Sequence, residues 1–229
     1  LQKAVRSLEL NMHSMEWRRG PALTDEQVVQ ALHTQDDERI FCVAEALRRG
    51  VSYDTIHDIT KIDRWFLDKL HHIVAQEEAV KQQGFGYLTP ETMKQLKRLG
   101  MADKAIAGWV GKTEPEIRAL RKQWGVLPTY KMVDTCAAEF QAQTPYFYST
   151  FDEENEAEIF LERNKNDKKK VLVFGSGPIR IGQGIEFDYC SVHCVWALKE
   201  HGYEAVIINN NPETVSTDFD TSDRLYFDP

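Results

Sequence analysis

The chain has 229 residues, a length that is enough to bury a core without disulfide or metal support. Of these residues, 42% are hydrophobic and 28% are charged, as is usual for a globular protein. Its net charge of −8 disfavours a general nucleic-acid or anionic-membrane binder. The sequence contains no transmembrane-length apolar run and no signal-peptide pattern. It does not begin with Met and stops just after an apolar run, so we expect a segment of a longer protein.

The first 125 residues have the periodicity of short helices. Ile40, Val43, Ala44 and Leu47 form the stripe of an amphipathic helix, with Asp36 or Asp37 as its cap and Gly50 at its end. Further stop and start signals predict the helices 62–82, 89–100, 103–111 and 113–125. Thr60 can cap the first of these helices, whose predicted buried face consists of Ile62, Phe66, Leu70, Ile73 and Val74. We therefore predict an all-α bundle in this part.

The pattern changes after Val126. Residues 126–150 are rich in Thr, Tyr, Val and Phe and are interrupted by proline, which predicts extended segments and turns. Residues 152–170 are strongly polar and predict a solvated surface or a linker.

The last 60 residues have the order of a βαβ unit. We predict a buried strand at 171–174, a helix at about 186–201 and further strands at 205–208 and 225–227. The apolar positions of the helix are Phe187, Val192, Val195, Trp196 and Leu198. A parallel sheet needs more strands and cover on both faces, so the unit is predicted to be a partial α/β domain.

A glycine-rich loop, GSGPIRIGQG, joins the first of these strands to the helix at 175–184. A dinucleotide site would need a small residue in place of Arg180 and an acidic residue in place of Asn209, and a Walker A loop would need Gly-Lys-Ser/Thr. A tight turn that uses glycine for its backbone geometry is therefore favoured over a nucleotide site on this local pattern.

Four cysteines, at positions 42, 136, 190 and 194, indicate a reducing cytoplasm rather than a disulfide framework. Cys190 and Cys194 lie one helical turn apart beside His193, a spacing that is compatible with a zinc site. No second pair of ligands is near in sequence, so we favour buried core positions for both cysteines. Cys136 has no evident base partner, so a nucleophilic role is not expected.

Two longer segments carry a specific resemblance. Residues 175–189 read GSGPIRIGQGIEFDY and residues 209–227 read NNNPETVSTDFDTSDRLYF. Together with 63–66 (DRWF), 133–140 (VDTCAAEF) and 1–10 (LQKAVRSLEL), they resemble the large subunit of carbamoyl phosphate synthetase over essentially the whole chain. Ile179 and Phe219 depart from the family pattern, which often has a polar residue and a tyrosine there.

The resemblance implies a domain plan. Residues 1–11 would be the last helix of the first ATP-grasp half, 12–157 a helical oligomerisation domain, and 158–169 a polar linker. Residues 170–229 would begin a truncated, Rossmann-like pre-ATP-grasp domain. The implied fold class is thus all-α followed by a partial parallel α/β unit.

The resemblance also implies the function of the parent enzyme, which makes carbamoyl phosphate from ATP, bicarbonate and glutamine-derived ammonia for pyrimidine and arginine synthesis. The parent would use ATP, Mg or Mn, and K, and would pair with a small glutamine amidotransferase subunit. For this segment we expect self-association through the helical domain, no catalytic, cofactor-binding or metal residue, no activity by itself, and no nucleic acid or membrane partner.

By the same resemblance, Arg180, Gly184, Glu186 and Glu213 match positions that line the family's carbamate tunnel. Carbamate decomposes in water, so a protected route in which protein dipoles replace solvent is chemically reasonable. Arg180 would hold the anion, and the two glutamates would order water or manage protons. The alternative for Glu186 is a simple carboxylate at the start of the following helix.

A rival interpretation concerns residues 94–122, which have the rhythm of a helix-turn-helix module. This segment holds eight basic and three acidic residues, a local net charge of +5. A recognition helix would direct Arg118, Arg121 and Lys122 toward nucleic acid. A helical hairpin with a solvated basic face is favoured instead, because the whole chain is acidic.

Overall fold

The computed structural model describes residues 1–7, 10–133, 139, 145–175, 188–209 and 214–227. The chain divides into two compact units, which we call the helical unit (Leu1–Val126) and the sheet unit (Leu127–Pro229). Within the described residues, the first is entirely helical and the second is a mixed five-stranded sheet with helices. The predicted fold class, a helical domain followed by a partial Rossmann-like unit, is therefore confirmed.

The helical unit is built from eight helices in its described residues. They are α1 (Gln2–Ser7), α2 (Asp25–Ala31), α3 (Arg39–Arg48), α4 (Tyr53–Thr60), α5 (Arg64–Gln83), α6 (Pro90–Arg98), α7 (Asp103–Val110) and α8 (Glu114–Gln123). The long helix α5 contacts α3, α4 and α7, so it forms the centre of the packing.

The predicted helix boundaries rest on capping chemistry that the structure shows directly. Thr89 caps α6 with Pro90 at the first helical position, and the backbone N of Thr113 donates to Glu116 Oε2 at 2.7 Å at the start of α8. Gly50 has φ +78°, the left-handed geometry that favours glycine after α3. Helix α3 itself begins at Arg39, after Glu38, rather than directly after the predicted cap at Asp36 or Asp37.

The buried face of α5 differs from the predicted one at its amino-terminal end, where Ile62 precedes the helix and is only half-buried. Phe66 was expected in the core, but its side chain is 61% exposed, whereas Leu67 is 1% exposed. The helix begins at Arg64 with Asp63 as its cap rather than Thr60. The face that packs on α3 and α7 then runs through Leu67, Leu70 and Val74, and Phe66 lies beside it.

The sheet unit adds two helices and five strands in its described residues. They are β1 (Thr129–Met132), β2 (Tyr146–Thr150), α9 (Glu156–Arg163), β3 (Lys170–Phe174), α10 (Tyr189–Glu200), β4 (Glu204–Asn209) and β5 (Arg224–Phe227). The strand order is β1-β2-β5-β4-β3; only β1 is antiparallel to its neighbour among these five.

The two faces of this sheet have different cores. On one face, α10 packs Val195 against Ala205, Ile207 and Leu225, all of them fully buried. On the other, the ring of Phe147 in β2 contacts Phe160 of α9, with ring centroids 5.7 Å apart. The interior strand β4, which lies between β5 and β3, is buried along nearly its whole length, as a parallel strand covered on both sides should be.

The structure places the boundary between units earlier than the sequence suggested. Residues 12–157 were assigned to the helical domain, but Tyr146–Thr150 pairs in parallel with β5 and so belongs to the sheet. The segment predicted as a linker, 158–169, begins inside helix α9. That helix forms because Ala157 and Phe160 pack on the sheet while its charged residues stay at the surface. The charged residues outnumber the apolar ones in this segment, so its composition alone predicted a linker.

Three predicted core positions of the sheet unit are exposed. Strand β3 was expected to be buried, yet Leu172 is 49% and Phe174 77% exposed, because β3 is the sheet edge and α10 covers one of its faces. Trp196 of α10 is 48% exposed, since the helix turns Val192 and Val195 inward.

Candidate functional site

A buried polar cluster lies at the carboxyl end of β4. Asn209, the last residue of the strand, is 2% exposed. Its Nδ2 donates to Thr214 Oγ1 at 3.2 Å and to Ser216 Oγ at 3.1 Å. Ligands of open α/β sheets bind in the crevice outside the carboxyl ends of the strands, so this cluster marks the edge where function is expected.

The end of β3 approaches this cluster closely. The backbone N of Gly175 donates to the Ile208 carbonyl at 2.8 Å. A Cβ at Gly175 would lie only 2.9 Å from Asn209 Nδ2, so the absence of a side chain allows the two strand ends to meet. The first glycine of the glycine-rich loop therefore has a backbone role, as the local pattern predicted.

Asp188 joins the cluster from the start of α10. The carboxylate is 1% exposed, and its Oδ2 accepts a hydrogen bond from the backbone N of Ser216. Its Oδ1 is buried and has no hydrogen-bond partner among the described residues. Nearby, burial raises the pKa of Asp218, and the negative charges of Asp220 and Asp188 raise it further.

All four residues predicted to line the tunnel lie outside the described residues. Arg180, Gly184 and Glu186 fall in 176–187, and Glu213 falls in 210–213. In the chain, these two segments directly follow β3 and β4, whose carboxyl ends lie side by side in the sheet. What the structure shows is therefore the support at either end of both segments, namely Gly175, Asp188, Asn209 and Thr214.

Sequence reasoning did not identify Asp188, Asn209, Thr214 or Ser216 as members of one cluster. All four stand within the two segments that carried the family resemblance. Asn209 follows a buried strand directly, and a polar residue at that position is a usable signal of a site at the sheet edge. The pairing of Asp188 with the 214–216 turn could not be read, because 28 residues separate Asp188 from Ser216.

The cysteine prediction was wrong. Cys190 and Cys194 are both exposed, because α10 buries the opposite face through Val192 and Val195. In the described parts of the chain, no group of three or more His, Cys, Asp or Glu side chains is placed to hold a metal ion. Cys42 is buried, and burial raises its thiol pKa to about 11, so it remains protonated at neutral pH. Cys136 lies outside the described residues.

Several basic residues of 94–122 form ion pairs within the helical unit, namely Lys97, Lys112, Arg118 and Arg121. Asp103 Oδ1 accepts from Lys97 Nζ at 2.8 Å, and its Oδ2 accepts from Arg121 Nε at 2.8 Å. Arg118, the other arginine of the supposed recognition helix, pairs with Glu114 at 2.5 Å. These contacts fix two of the three side chains that a nucleic-acid module would need, so the geometry favours a helical hairpin.

Comparison with known proteins agrees with the order of the two units. Residues 1–125 match the family described as carbamoyl-phosphate synthetase large chain, oligomerisation domain. The chain belongs to the carbamoyl-phosphate synthetase large chain family. Residues 167–229 match the carbamoyl phosphate synthase preATP-grasp domain, which takes in β3, α10, β4 and β5. The family identified from the sequence motifs is thereby confirmed.

Curated relatives extend the similarity over the whole chain. Proteins called carbamoyl phosphate synthase large chain from Thermoanaerobacter pseudethanolicus, Agathobacter rectalis and Lachnoclostridium phytofermentans are each 52% identical to it, with 100% of this chain covered. The alignments cover 20%, 21% and 21% of those proteins, so the chain spans about a fifth of their length.

None of the described helices combines the length and the apolar character that crossing a membrane requires.

Proposed function

We propose that this chain is the central segment of the large chain of a glutamine-dependent carbamoyl phosphate synthetase. The parent enzyme, an ATP-dependent ligase, would join ammonia and bicarbonate at the expense of ATP. The observation that carries this proposal is the order of the two family matches, an oligomerisation domain followed by the start of a pre-ATP-grasp domain, on one chain. A segment in that position connects two synthetase halves.

The second part of the proposal is that the carboxyl edge of the sheet unit supports the wall of a carbamate passage. Asn209, Thr214 and Ser216 hydrogen-bond to one another inside the protein and so tie together the two residues that flank 210–213. Gly175 and Asp188, which flank 176–187, are bound to Ile208 and Ser216. Arg180 would then bind the carbamate anion, Gly184 would leave room for it, and Glu186 and Glu213 would manage water and protons. The buried Asp188 carboxylate adds negative charge that favours a cationic partner such as Arg180.

Catalysis itself belongs, in this proposal, to domains outside the chain. Phosphoryl transfer requires metal ions and positive charges placed around the nucleotide phosphates. In the described residues, no group of three or more His, Cys, Asp or Glu side chains is placed to hold such a metal ion. ATP, Mg or Mn, and K would thus be cofactors of the parent, with ammonia supplied by a small glutamine amidotransferase subunit. The compartment would be the cytoplasm, with pyrimidine and arginine synthesis as the destinations of the product.

The passage is tested in the full-length enzyme by Glu213→Gln and, separately, Gly184→Phe. We expect bicarbonate-dependent ATP turnover to continue while the yield of carbamoyl phosphate per ATP falls about tenfold, the effect of about 1.4 kcal/mol on delivery of the intermediate. Coupled assays of ADP and of carbamoyl phosphate measure this ratio.

The matched control is Glu200→Gln, which removes a carboxylate from the exposed end of α10. It should leave the ratio of product to ATP unchanged. If Glu213→Gln and Gly184→Phe also leave the ratio unchanged, the tunnel assignment fails, although the family membership would stand.

The helical unit is proposed to self-associate, and it exposes an aromatic pair suited to that role. Trp65 and Phe66, 60% and 61% exposed, lie next to each other on α5 with their ring centroids 5.0 Å apart. Large aromatic side chains left in water cost free energy that burial in an interface recovers. We propose this pair as the centre of a contact with a second copy.

Size-exclusion chromatography with light scattering measures the self-association. We expect a mass of about twice or four times 26.4 kDa that decreases on dilution. Replacing Trp65 and Phe66 with serine should shift the species to monomer at concentrations where the unchanged chain associates. The control is Phe85→Ser, at another exposed aromatic residue of the unit, and it should leave the association unchanged. If the unchanged chain is a monomer at every concentration, the proposal is contradicted.

A further inference from the structure

A cleft of about 480 Å³ lies within the helical unit, between the segment 11–18 and the helix α7. Asn11, His13 and Arg18 line it from the first side, and Lys104, Gly108 and Trp109 line it from the second. Its volume falls in the range of small-molecule sites. The cleft is formed by the helical unit, whereas the carbamate passage is proposed for the sheet unit.

The cleft carries unbalanced positive charge. Lys104 is exposed and forms no ion pair with any described residue, and Arg18 Nη2 donates to the carbonyl of Leu10, which cancels no charge. The lining carboxylate, Glu16, is already engaged by Lys81 Nζ at 2.9 Å and by Ser14 Oγ at 2.9 Å. Among the described residues, neither cation forms an ion pair with a carboxylate, although the charge of Arg18 acts on Glu38 at longer range. This charge balance favours an anion in the cleft.

His13 adds an unused hydrogen-bonding atom to the same wall. Its Nε2 is buried and has no hydrogen-bond partner among the described residues. Burial lowers the pKa of His13, and the charges of Lys104 and Arg6 lower it further, against a smaller opposing effect of Glu114. A buried polar atom without a partner costs free energy that a bound oxygen acceptor would recover.

Trp109 supplies an aromatic surface beside these polar groups. The side chain is half-buried, and its Nε1 points toward Glu16 Oε2 at 3.5 Å. Gly108, next to it on α7, is open, since nothing lies within 4 Å of the position that a Cβ would take. A planar ring can therefore approach the indole from the open side of the helix.

We propose that this cleft binds a small organic anion, with its phosphate or carboxylate group held by Lys104, Arg18 and His13 and a planar ring packed on Trp109. The combination of cations without partners, a buried imidazole nitrogen without a partner and an adjoining indole fits this class of ligand better than a metal ion or a neutral solute. The site would give the helical unit a ligand of its own in addition to its role in assembly.

The experiment titrates the chain with phenyl phosphate at low ionic strength, measuring heat by calorimetry and the imidazole signals of labelled histidine by NMR. We expect saturable binding with one site per chain and a shift of the His13 signal, identified by its loss in His13→Gln. Inorganic phosphate should compete more weakly than phenyl phosphate, and benzyl alcohol should not bind.

The matched variants are Lys104→Gln and Lys168→Gln, which each remove one exposed lysine charge, the first in the cleft and the second in the sheet unit. We expect the first to raise Kd roughly fivefold to tenfold, since charge-assisted hydrogen bonds are about twice as strong as neutral ones, and the second to leave it unchanged. Equal Kd values for the two variants, or heat without saturation, would overturn the site. If inorganic phosphate competes as well as phenyl phosphate, the ring contact with Trp109 is overturned.

Discussion

Replacing Arg48 with methionine is expected to lower the free energy of unfolding by about 3–5 kcal/mol, the cost of leaving one member of a buried ion pair alone. Arg48 Nη2 donates to Glu77 Oε2 at 2.9 Å, and the side chain of Glu77 is 0% exposed. Arg48 also binds Glu45 and Glu78, but those carboxylates keep Arg49 and Lys81 as partners. Glu77 is then the carboxylate of this network that loses its ion-pair partner. Denaturant unfolding followed by circular dichroism measures the loss in the free energy of unfolding.

Two variants separate charge from packing in that experiment. Arg19→Met removes an arginine from a surface pair with Glu38 and should cost less than about 1 kcal/mol. Adding Glu77→Gln to Arg48→Met should recover more than half of the stability, because the glutamine oxygen can still accept from the backbone N of Met15. If the double variant is as unstable as the single one, lost packing and not the buried charge is the cause.

The deficit of Arg48→Met should also depend on pH. Burial raises the pKa of Glu77 even in the unchanged protein, and removal of the Arg48 charge raises it further. The folded state then holds a proton that the unfolded state releases, so stability falls as pH rises from the unfolded pKa through the folded one. The difference from the unchanged protein should be smaller at about pH 5 than at about pH 8.

Replacing Asp103 with asparagine is the second change with a large expected effect, a loss of about 3 kcal/mol. Asp103 joins three helices, since it begins α7 and accepts hydrogen bonds from Lys97 of α6 and Arg121 of α8. The side chains of Lys97 and Arg121 are only 9% and 12% exposed, so both would be left buried with no carboxylate at this position. Asp68→Asn, in a pair with Lys69 at the surface, is the matched control and should be nearly neutral.

The pH dependence of this pair has a definite sign. Although burial raises the pKa of Asp103, hydrogen bonds from Lys97 and Arg121 outweigh it, and the net pKa lies below its usual value. The contribution of Asp103 is therefore fully present above the unfolded pKa and is lost as pH falls toward the folded one. The unfolding free energies of Asp103→Asn and the unchanged protein should converge below about pH 4. If their difference stays constant down to acid pH, the charge of Asp103 is not the cause of the lost stability.

Much of the helical unit was predictable because its signals are local. A cap such as Thr89 with Pro90, or a capping box such as Thr113 with Glu116, acts within one turn and can be read from adjacent residues. Even so, the burial of Leu67 in place of Phe66 required knowledge of where α3 and α7 pack on α5, which no local pattern contains.

The sheet unit was less predictable for a related reason. Strands β1 and β2 belong to the sheet through the parallel pairing of Tyr146 with Leu225, 79 positions later in the chain. The exposure of Cys190 and Cys194 likewise follows from which face of α10 meets β4. The candidate site shares this property, since Asp188 reaches Ser216 only because α10 and the 214–217 turn meet at the sheet edge.

The sequence by itself determined the family, the succession of a helical and an α/β unit, and the helix starts that a local cap marks, such as those of α6 and α8. Motifs and caps of this kind are encoded in contiguous residues. Tertiary structure alone decided which face of each helix is buried, the width of the sheet, the buried charge networks around Arg48 and Asp103, and the cationic cleft beside Trp109. These features arise from side chains far apart in the chain, whose charges and exposure depend on the partners that folding brings to them.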